Sequence, residues 1–280
     1  MRIDLHTHSS TSDGTQPPAE LVRAAARAGL DVVALTDHDT TAGWAEATEQ
    51  ARSSGIQLLP GTEISCSADG ISVHLLSYLH DPADPALADS IGLARDSRLQ
   101  RAERMVQLLG EDVEISWADV RAQVAEGATI GRPHIADALV ARGVVTSREH
   151  AFATLLSSRG RYYVRHFAPD PVQAVRLVVQ AGGVPVMAHP LARLRGRVVS
   201  DDVIAAMADA GLAGLEVYHR DNDEDARAHL LDLAGDLDLL VTGSSDYHGD
   251  GKPNLLGENL THPDVLAEIE RRATGTAVVR

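Results

Sequence analysis

Asp4-Leu5-His6-Thr7-His8 stands at the head of the chain, and the fold is read outward from it. The residues around its start, Arg2-Ile3-Asp4-Leu5, read as a very short strand. Residues two apart on a strand share a face, so His6 and His8 can grip one ion. Asp13 follows in a polar loop, Ser9-Ser10-Thr11-Ser12-Asp13-Gly14, that is too short to carry a core. That loop can fold back and add an oxygen ligand over the same spot.

Further strands end in the same way. Asp31-Val32-Val33-Ala34-Leu35-Thr36-Asp37 is an apolar, β-branched run after Gly29 that delivers His38, which reads as a buried strand ending in a loop. Residues 57–64 form a strand that carries Glu63, and residues 71–76 a strand that contains His74. After a long gap, residues 183–188 deliver His189, residues 214–218 deliver His219, and residues 239–243 deliver Asp246 and His248. Helices are expected over residues 17–28, 41–53, 171–181, 201–210 and 223–235, with a last one starting near Pro263; Asp170-Pro171 pairs an N-cap with an N1 proline. From about residue 84 to 180 the strand signal fades into helical periodicity, apart from Arg161-Tyr162-Tyr163-Val164, which suits a short strand.

The reading is therefore an α/β chain. Residues 1–83 and 181–280 form a barrel, and residues 84–180 a mostly helical insertion covering the active site. In such a barrel the loops at the C-terminal ends of parallel strands share one face, so His6, His8, His38, Glu63, His189, His219, Asp246 and His248 converge there. His74 lies inside its strand and is expected to point inward from the wall. Imidazole with carboxylate suits zinc, manganese or iron better than calcium. The donors are too many for one tetrahedral ion, which predicts two or three divalent metal ions bridged by a carboxylate and solvent. Such clusters polarise phosphoryl oxygens and generate hydroxide near neutral pH, so phosphate ester hydrolysis is the natural chemistry.

Bulk properties narrow the choices. The net charge of −15 argues against broad binding to duplex DNA, which needs many cationic contacts. Cys66 is the only cysteine, so no internal disulfide framework or cysteine-held zinc is expected. The N-terminus has no secretion signal and no apolar run is long enough to span a bilayer. These features predict a cytoplasmic protein with no membrane partner. Lys252 is the only lysine and carries no assigned role.

In order, Asp4-Leu5-His6-Thr7-His8, Thr36-Asp37-His38-Asp39, Gly61-Thr62-Glu63, His74, Ala188-His189-Pro190 and Ser245-Asp246-Tyr247-His248-Gly249 resemble the motifs of the polymerase and histidinol phosphatase (PHP) domain. The resemblance spans essentially the whole chain and implies a distorted (β/α)7 barrel with a trinuclear metal site. It implies that His6, His8, Glu63 and Asp246 hold one ion, that Asp13, His38 and His248 hold a second, and that Glu63, His74 and His189 hold a third. Asp13 departs from the histidinol phosphatase branch, where several members carry histidine. The insertion, with Gly131-Arg132-Pro133-His134, looks instead like the branch that removes phosphate from nucleotide 3′,5′-bisphosphates or trims short RNA from its 5′ end.

Around that site, Arg132, His134 and Arg193 are candidate phosphate contacts, because a guanidinium offers a forked donor to phosphate oxygens. His219 is a candidate general acid for the leaving alkoxide. Asp37 and Asp39 are expected to orient the His38 ring and loop. His80, His150, His166, His229 and His262 fall outside the rim pattern and read as surface residues. The expected partner is a small phosphorylated nucleotide or short oligonucleotide. The alternatives are histidinol phosphate or a cyclic phosphodiester on the same fold, or a non-catalytic metal- or nucleotide-binding regulator.

Overall fold

A computed structural model describes the whole chain, Met1–Arg280. The first part runs β1 (Ile3–Asp4), α1 (Pro18–Arg27), β2 (Val32–Leu35), α2 (Trp44–Ser54), β3 (Gln57–Ala68) and β4 (Ile71–Tyr78). Helices α3 (Pro85–Leu109), α4 (Trp117–Arg121), α5 (Arg132–Ala141), α6 (Arg148–Ala153) and α7 (Pro171–Gln180) follow. The chain then continues through β5 (Val184–Met187), α8 (Asp201–Asp209), β6 (Gly214–Tyr218), α9 (Glu224–Asp236), β7 (Leu240–Gly243) and α10 (Pro263–Arg272).

The seven strands form one sheet in sequence order, nearly closed into a barrel. Neighbours are parallel except β4, which runs antiparallel to both β3 and β5. The seam between the last strand and the first is joined beyond their ends: Thr7 bridges Tyr247 in parallel, and the His8 N–H donates to the Tyr247 carbonyl at 2.8 Å.

Alternation explains how the strands are buried on both sides. Val32 and Ala34 of β2 join Ile3, Leu59, Val184 and Val186 in one apolar cluster, whereas Val33 and Leu35 pack under α1 and α2 with Leu21, Val22, Ala47 and Ala51. A third cluster lies under α7, α8 and α9. Within residues 84–180, Met105, Leu109, Val120, Ile135, Leu139 and Leu156 belong to a fourth, separate cluster. Helix α7 instead packs Ala174, Val175 and Val178 against Ile64, Leu75 and Met187 of the barrel strands.

Three local expectations are corrected and one helix is added. His74 lies where the β3–β4 hairpin overruns the rim, paired with Ser65, because β4 reverses direction. Arg161-Tyr162-Tyr163-Val164 forms no strand; it has no sheet edge to join, and Tyr162 sits in the insertion's apolar cluster with its hydroxyl on Asp112 at 2.8 Å. Arg132 and His134 are in the first turn of α5 rather than in a loop before it. Helix α6 was not anticipated. No helix is long and apolar enough to cross a membrane.

Candidate metal centre

All nine candidate ligands fall into four overlapping groups whose donor atoms lie within 4.8 Å of one another. Their hub is Glu63, buried at the rim of β3. Its Oε2 lies 3.2 Å from His6 Nε2, 3.0 Å from His8 Nε2 and 3.2 Å from His38 Nδ1. Its Oε1 lies 2.7 Å from His74 Nδ1 and 3.2 Å from His189 Nε2. The two oxygens therefore face two different sets of imidazoles, the geometry of a bridging carboxylate. Asp246 Oδ1 is 3.5 Å from His6 Nε2 and 3.4 Å from His8 Nε2. On the far side Asp13 meets His248 Nε2 at 3.2 Å and His38 Nε2 at 3.8 Å.

Local backbone choices aim these groups. The ladder of β2 and β3 is prolonged by a bridge between His38 and Glu63, which fixes that pair at the rim. The Asp13 loop folds back tightly enough that a Cβ on Gly14 would collide with the His8 carbonyl. Asp39, His189 and Asp246 have positive φ values of 52°, 31° and 53°. Non-glycine residues there cost on the order of 1–3 kcal/mol each, a cost concentrated where strands turn into the site.

A surrounding layer of acceptors holds the donors. Glu216 of β6 accepts from His6 Nδ1 at 2.9 Å, from the His189 N–H at 2.8 Å and from the Ser244 hydroxyl at 2.6 Å. The His6 lone pair is thereby left on Nε2, toward the cluster. His248 Nδ1 likewise donates to the Asp246 carbonyl at 2.8 Å and leaves Nε2 facing Asp13. Asp37 holds the Ser9 and Ser12 hydroxyls, each at 2.6 Å, and Asp39 holds Ser65. These two acids anchor the loops that flank His38, not its ring.

The residues fit divalent ions. Asp13 Oδ1, His38 Nδ1 and His248 Nε2 are buried without a hydrogen-bond partner, as donor atoms of a ligand set would be. Burial opposes charge on His8, yet Asp246 and Glu63 raise its imidazolium to about 9. His6 is raised well above its ordinary value against burial by Glu216, Glu63 and Asp246. Burial would raise Glu63, but His38, His74 and His6 hold it well below the usual carboxylate range. The carboxylates thus favour positive charge on His6 and His8, whereas burial chiefly lowers His38, His189 to about 3 and His248 to about 4, which keeps those three rings neutral as donors for a cation.

His219 is fully buried, and its Nδ1 accepts the Asp221 N–H at 3.0 Å. The proton therefore sits on Nε2, which has no hydrogen-bond partner and lies 3.5 Å from Asp246 Oδ2. Arg195 and Lys252 reach the same oxygen at 2.6 and 3.0 Å. Burial would raise Asp246, but Lys252, Arg195, His248 and His6 hold its carboxyl well below its ordinary range. Arg193 and Arg195 are both exposed, and the one this turn directs at the cluster is Arg195, which pairs with Asp246 at 2.6 Å and with Asp221 at 2.5 Å. His134 turns toward the protein: its Nδ1 accepts the Gly131 N–H at 3.1 Å.

Arg132 stacks on Phe152 and Tyr163, at 5.3 and 5.6 Å from their ring centres, and donates to the Leu156 carbonyl. It belongs to a group that sequence reasoning missed. Arg98 and Arg101, one turn apart on α3, are both buried. Arg98 contacts Ser65 and lies 3.2 Å from Asp39, while Arg101 donates to His166 Nδ1 at 3.1 Å. His166 Nε2, Arg101 Nε and Arg98 Nε have no hydrogen-bond partner. Burial and the field of Arg101, Arg98, Arg132 and His74 push His166 down to about 3. His166 is thus no ordinary surface residue. Nor is His80, which is buried with Ser77 at 2.8 Å. Cys66 is buried and its thiol is pushed well up, chiefly by burial, as for an inert core residue.

With this geometry in place, the family model of the PHP domain matches residues 4–118. A 3′,5′-nucleoside bisphosphate phosphatase of Chromobacterium violaceum is 36% identical over 277 residues, 96% of this chain and 94% of that protein. A 5′-3′ exoribonuclease of Haemophilus influenzae is 32% identical over 272 residues, 96% of this chain and 97% of that one. A structure from Bifidobacterium adolescentis, assigned as a metal-dependent phosphoesterase, superposes with a TM-score of 0.95 at 48% identity and covers 97% of this chain and 96% of that one. The chain belongs to the PHP family.

Proposed function

We propose that this protein is a metal-dependent phosphoesterase that converts a nucleoside 3′,5′-bisphosphate to the nucleoside 5′-monophosphate and inorganic phosphate, or trims short RNA from its 5′ end. The observation that carries the choice is the group of donors formed by buried Arg98 and Arg101 with half-buried Arg132 and His166. Of the three guanidiniums only Arg98 pairs with a carboxylate, Asp39 at 3.2 Å. Such an excess of donors suits a second anionic group on the substrate. The named activities of the Chromobacterium and Haemophilus relatives support this direction.

His6, His8, Asp13, His38, Glu63, His74, His189, Asp246 and His248 would hold two or three ions of manganese, iron or zinc. Bound there, the ions polarise a phosphoryl oxygen and lower the pKa of water. The chain's own residues do the rest. The tautomer of His219 puts its Nε2–H in the site, where it stabilises the leaving oxygen by a hydrogen bond as the P–O bond breaks, with the proton that completes the alcohol coming from solvent. Arg195, from the turn after His189, pairs with Asp246 and Asp221 at the edge of the ligand cluster and is placed to neutralise a phosphoryl oxygen there. The second phosphate docks on Arg98, Arg101, Arg132 and the His166 N–H. The net charge of −15 keeps duplex DNA out of the partner list, and the single cysteine accords with a cytoplasmic setting.

Comparing initial rates for adenosine 3′,5′-bisphosphate and adenosine 3′-monophosphate tests this reading. A preference for the bisphosphate that disappears in Arg101→Met supports it. Equal rates in the unsubstituted protein would remove the second-phosphate pocket from the account.

A further inference from the structure

We propose that Arg148 of α6 is a positioning residue for the metal subsite made by His8, Asp13, His38 and His248. The inference rests on the ligand assignment above. Arg148 grips Asp137 of α5 with a fork, Nε to Oδ1 at 2.5 Å and Nη2 to Oδ2 at 2.6 Å. Its remaining nitrogen, Nη1, lies 3.4 Å from the Asp13 carbonyl and 3.4 Å from the Gly251 carbonyl. Those carbonyls belong to two loops far apart in sequence, one bearing Asp13 and the other His248. The side chains of these loops meet at 3.2 Å. One guanidinium therefore sits across the backbones of both ligand loops.

Three further features make this a strap rather than an incidental ion pair. Arg148 and Asp137 side chains are only 20% and 25% exposed, so the pair is partly shielded from the solvent that makes exposed ion pairs weak. A Cβ at Gly251 would run into the Arg148 guanidinium, so glycine there is what lets the two approach. The Asp13 loop is also held by another residue of the insertion: the Thr129 N–H donates to the Thr11 carbonyl at 2.9 Å. Thr11 and Asp13 are thus both held by the helical segment. Arg148 alone also reaches the His248 loop.

The strap makes the helical segment part of the metal site without giving it a ligand. Groups that orient ligands typically matter about 10–100-fold in metal affinity or activity. The test is a Mn²⁺ titration of metal-stripped, full-length protein by calorimetry, with bound metal counted by elemental analysis. Arg148→Met is expected to lose one ion per chain, or to bind it about 10–100-fold more weakly, while the remaining ions bind as before. Gly251→Ala, which leaves Arg148 and Asp137 in the chain, is expected to weaken the same ion and guards against a folding defect peculiar to Arg148→Met. Unchanged stoichiometry and affinity in both folded variants would overturn the proposal, as would equal weakening of every ion. Because metal binding is read without substrate, this outcome is separate from whether the protein hydrolyses a bisphosphate.

Discussion

Glu216 Oε1 lies 2.9 Å from His6 Nδ1, with both side chains fully buried. The contact fixes which His6 nitrogen faces the cluster, and through Oε2 the same carboxylate holds the His189 backbone. Glu216→Gln keeps the shape but removes the charge. We expect metal affinity to fall about 10–100-fold, with far-ultraviolet circular dichroism unchanged. Calorimetric titration with Mn²⁺ checks this, and an unaltered affinity would reduce Glu216 to a packing role.

Arg101 contacts His166 and none of the candidate ligands. A charge-assisted hydrogen bond contributes about 1.5–3 kcal/mol, so Arg101→Met should raise KM for a nucleoside 3′,5′-bisphosphate about 10–100-fold. The same variant should leave KM for a 3′-monophosphate unchanged. A parallel rise for both substrates would place the arginine in general site integrity.

His219 presents an Nε2–H because Nδ1 is occupied by the Asp221 N–H. A hydrogen bond to the leaving oxygen matters most for a poor leaving group, which carries the most negative charge as its bond breaks. His219→Asn is expected to slow release from a nucleotide, whose leaving group is an alkoxide, by about 10²-fold or more. An aryl phosphate with an acidic phenol should be slowed far less. Equal losses on both substrates would argue for a phosphate-binding role.

His80 is lowered from 6.5 to about 4, chiefly by burial. The unfolded chain therefore takes up this proton before the folded one does. Its contribution is fully present above pH 6.5 and is lost as pH falls toward 4, up to about 3 kcal/mol. Urea unfolding at pH 7 and pH 4.5 should show a smaller pH-dependent loss in His80→Gln than in the parent. Identical losses would show that other groups carry the acid sensitivity.

Much of the ligand set could be read from sequence because of one physical regularity: polar residues immediately follow apolar, β-branched runs. His38, His189, Asp246 and His248 announce themselves in this way, and the His6–His8 pair does so by its spacing. Glu216 did not, because it lies within an apolar strand and its partner is 210 residues away. The setting of His74 was misjudged although a local signal exists: Asp69-Gly70, both at positive φ, is a two-residue hairpin turn that sends β4 back along β3. Arg98 and Arg101 look in sequence like the polar face of an exposed helix, and only the packing of α3 against the hairpin buries them. Arg193 was chosen for its distance from His189, whereas the turn geometry presents Arg195.

The most direct measurement is phosphate release from adenosine 3′,5′-bisphosphate by metal-stripped protein before and after Mn²⁺ is restored. The account predicts no release without metal, and stoichiometric inorganic phosphate with adenosine 5′-monophosphate once Mn²⁺ is bound. Absence of phosphate release from this or any other phosphate ester by metal-replete protein would contradict it.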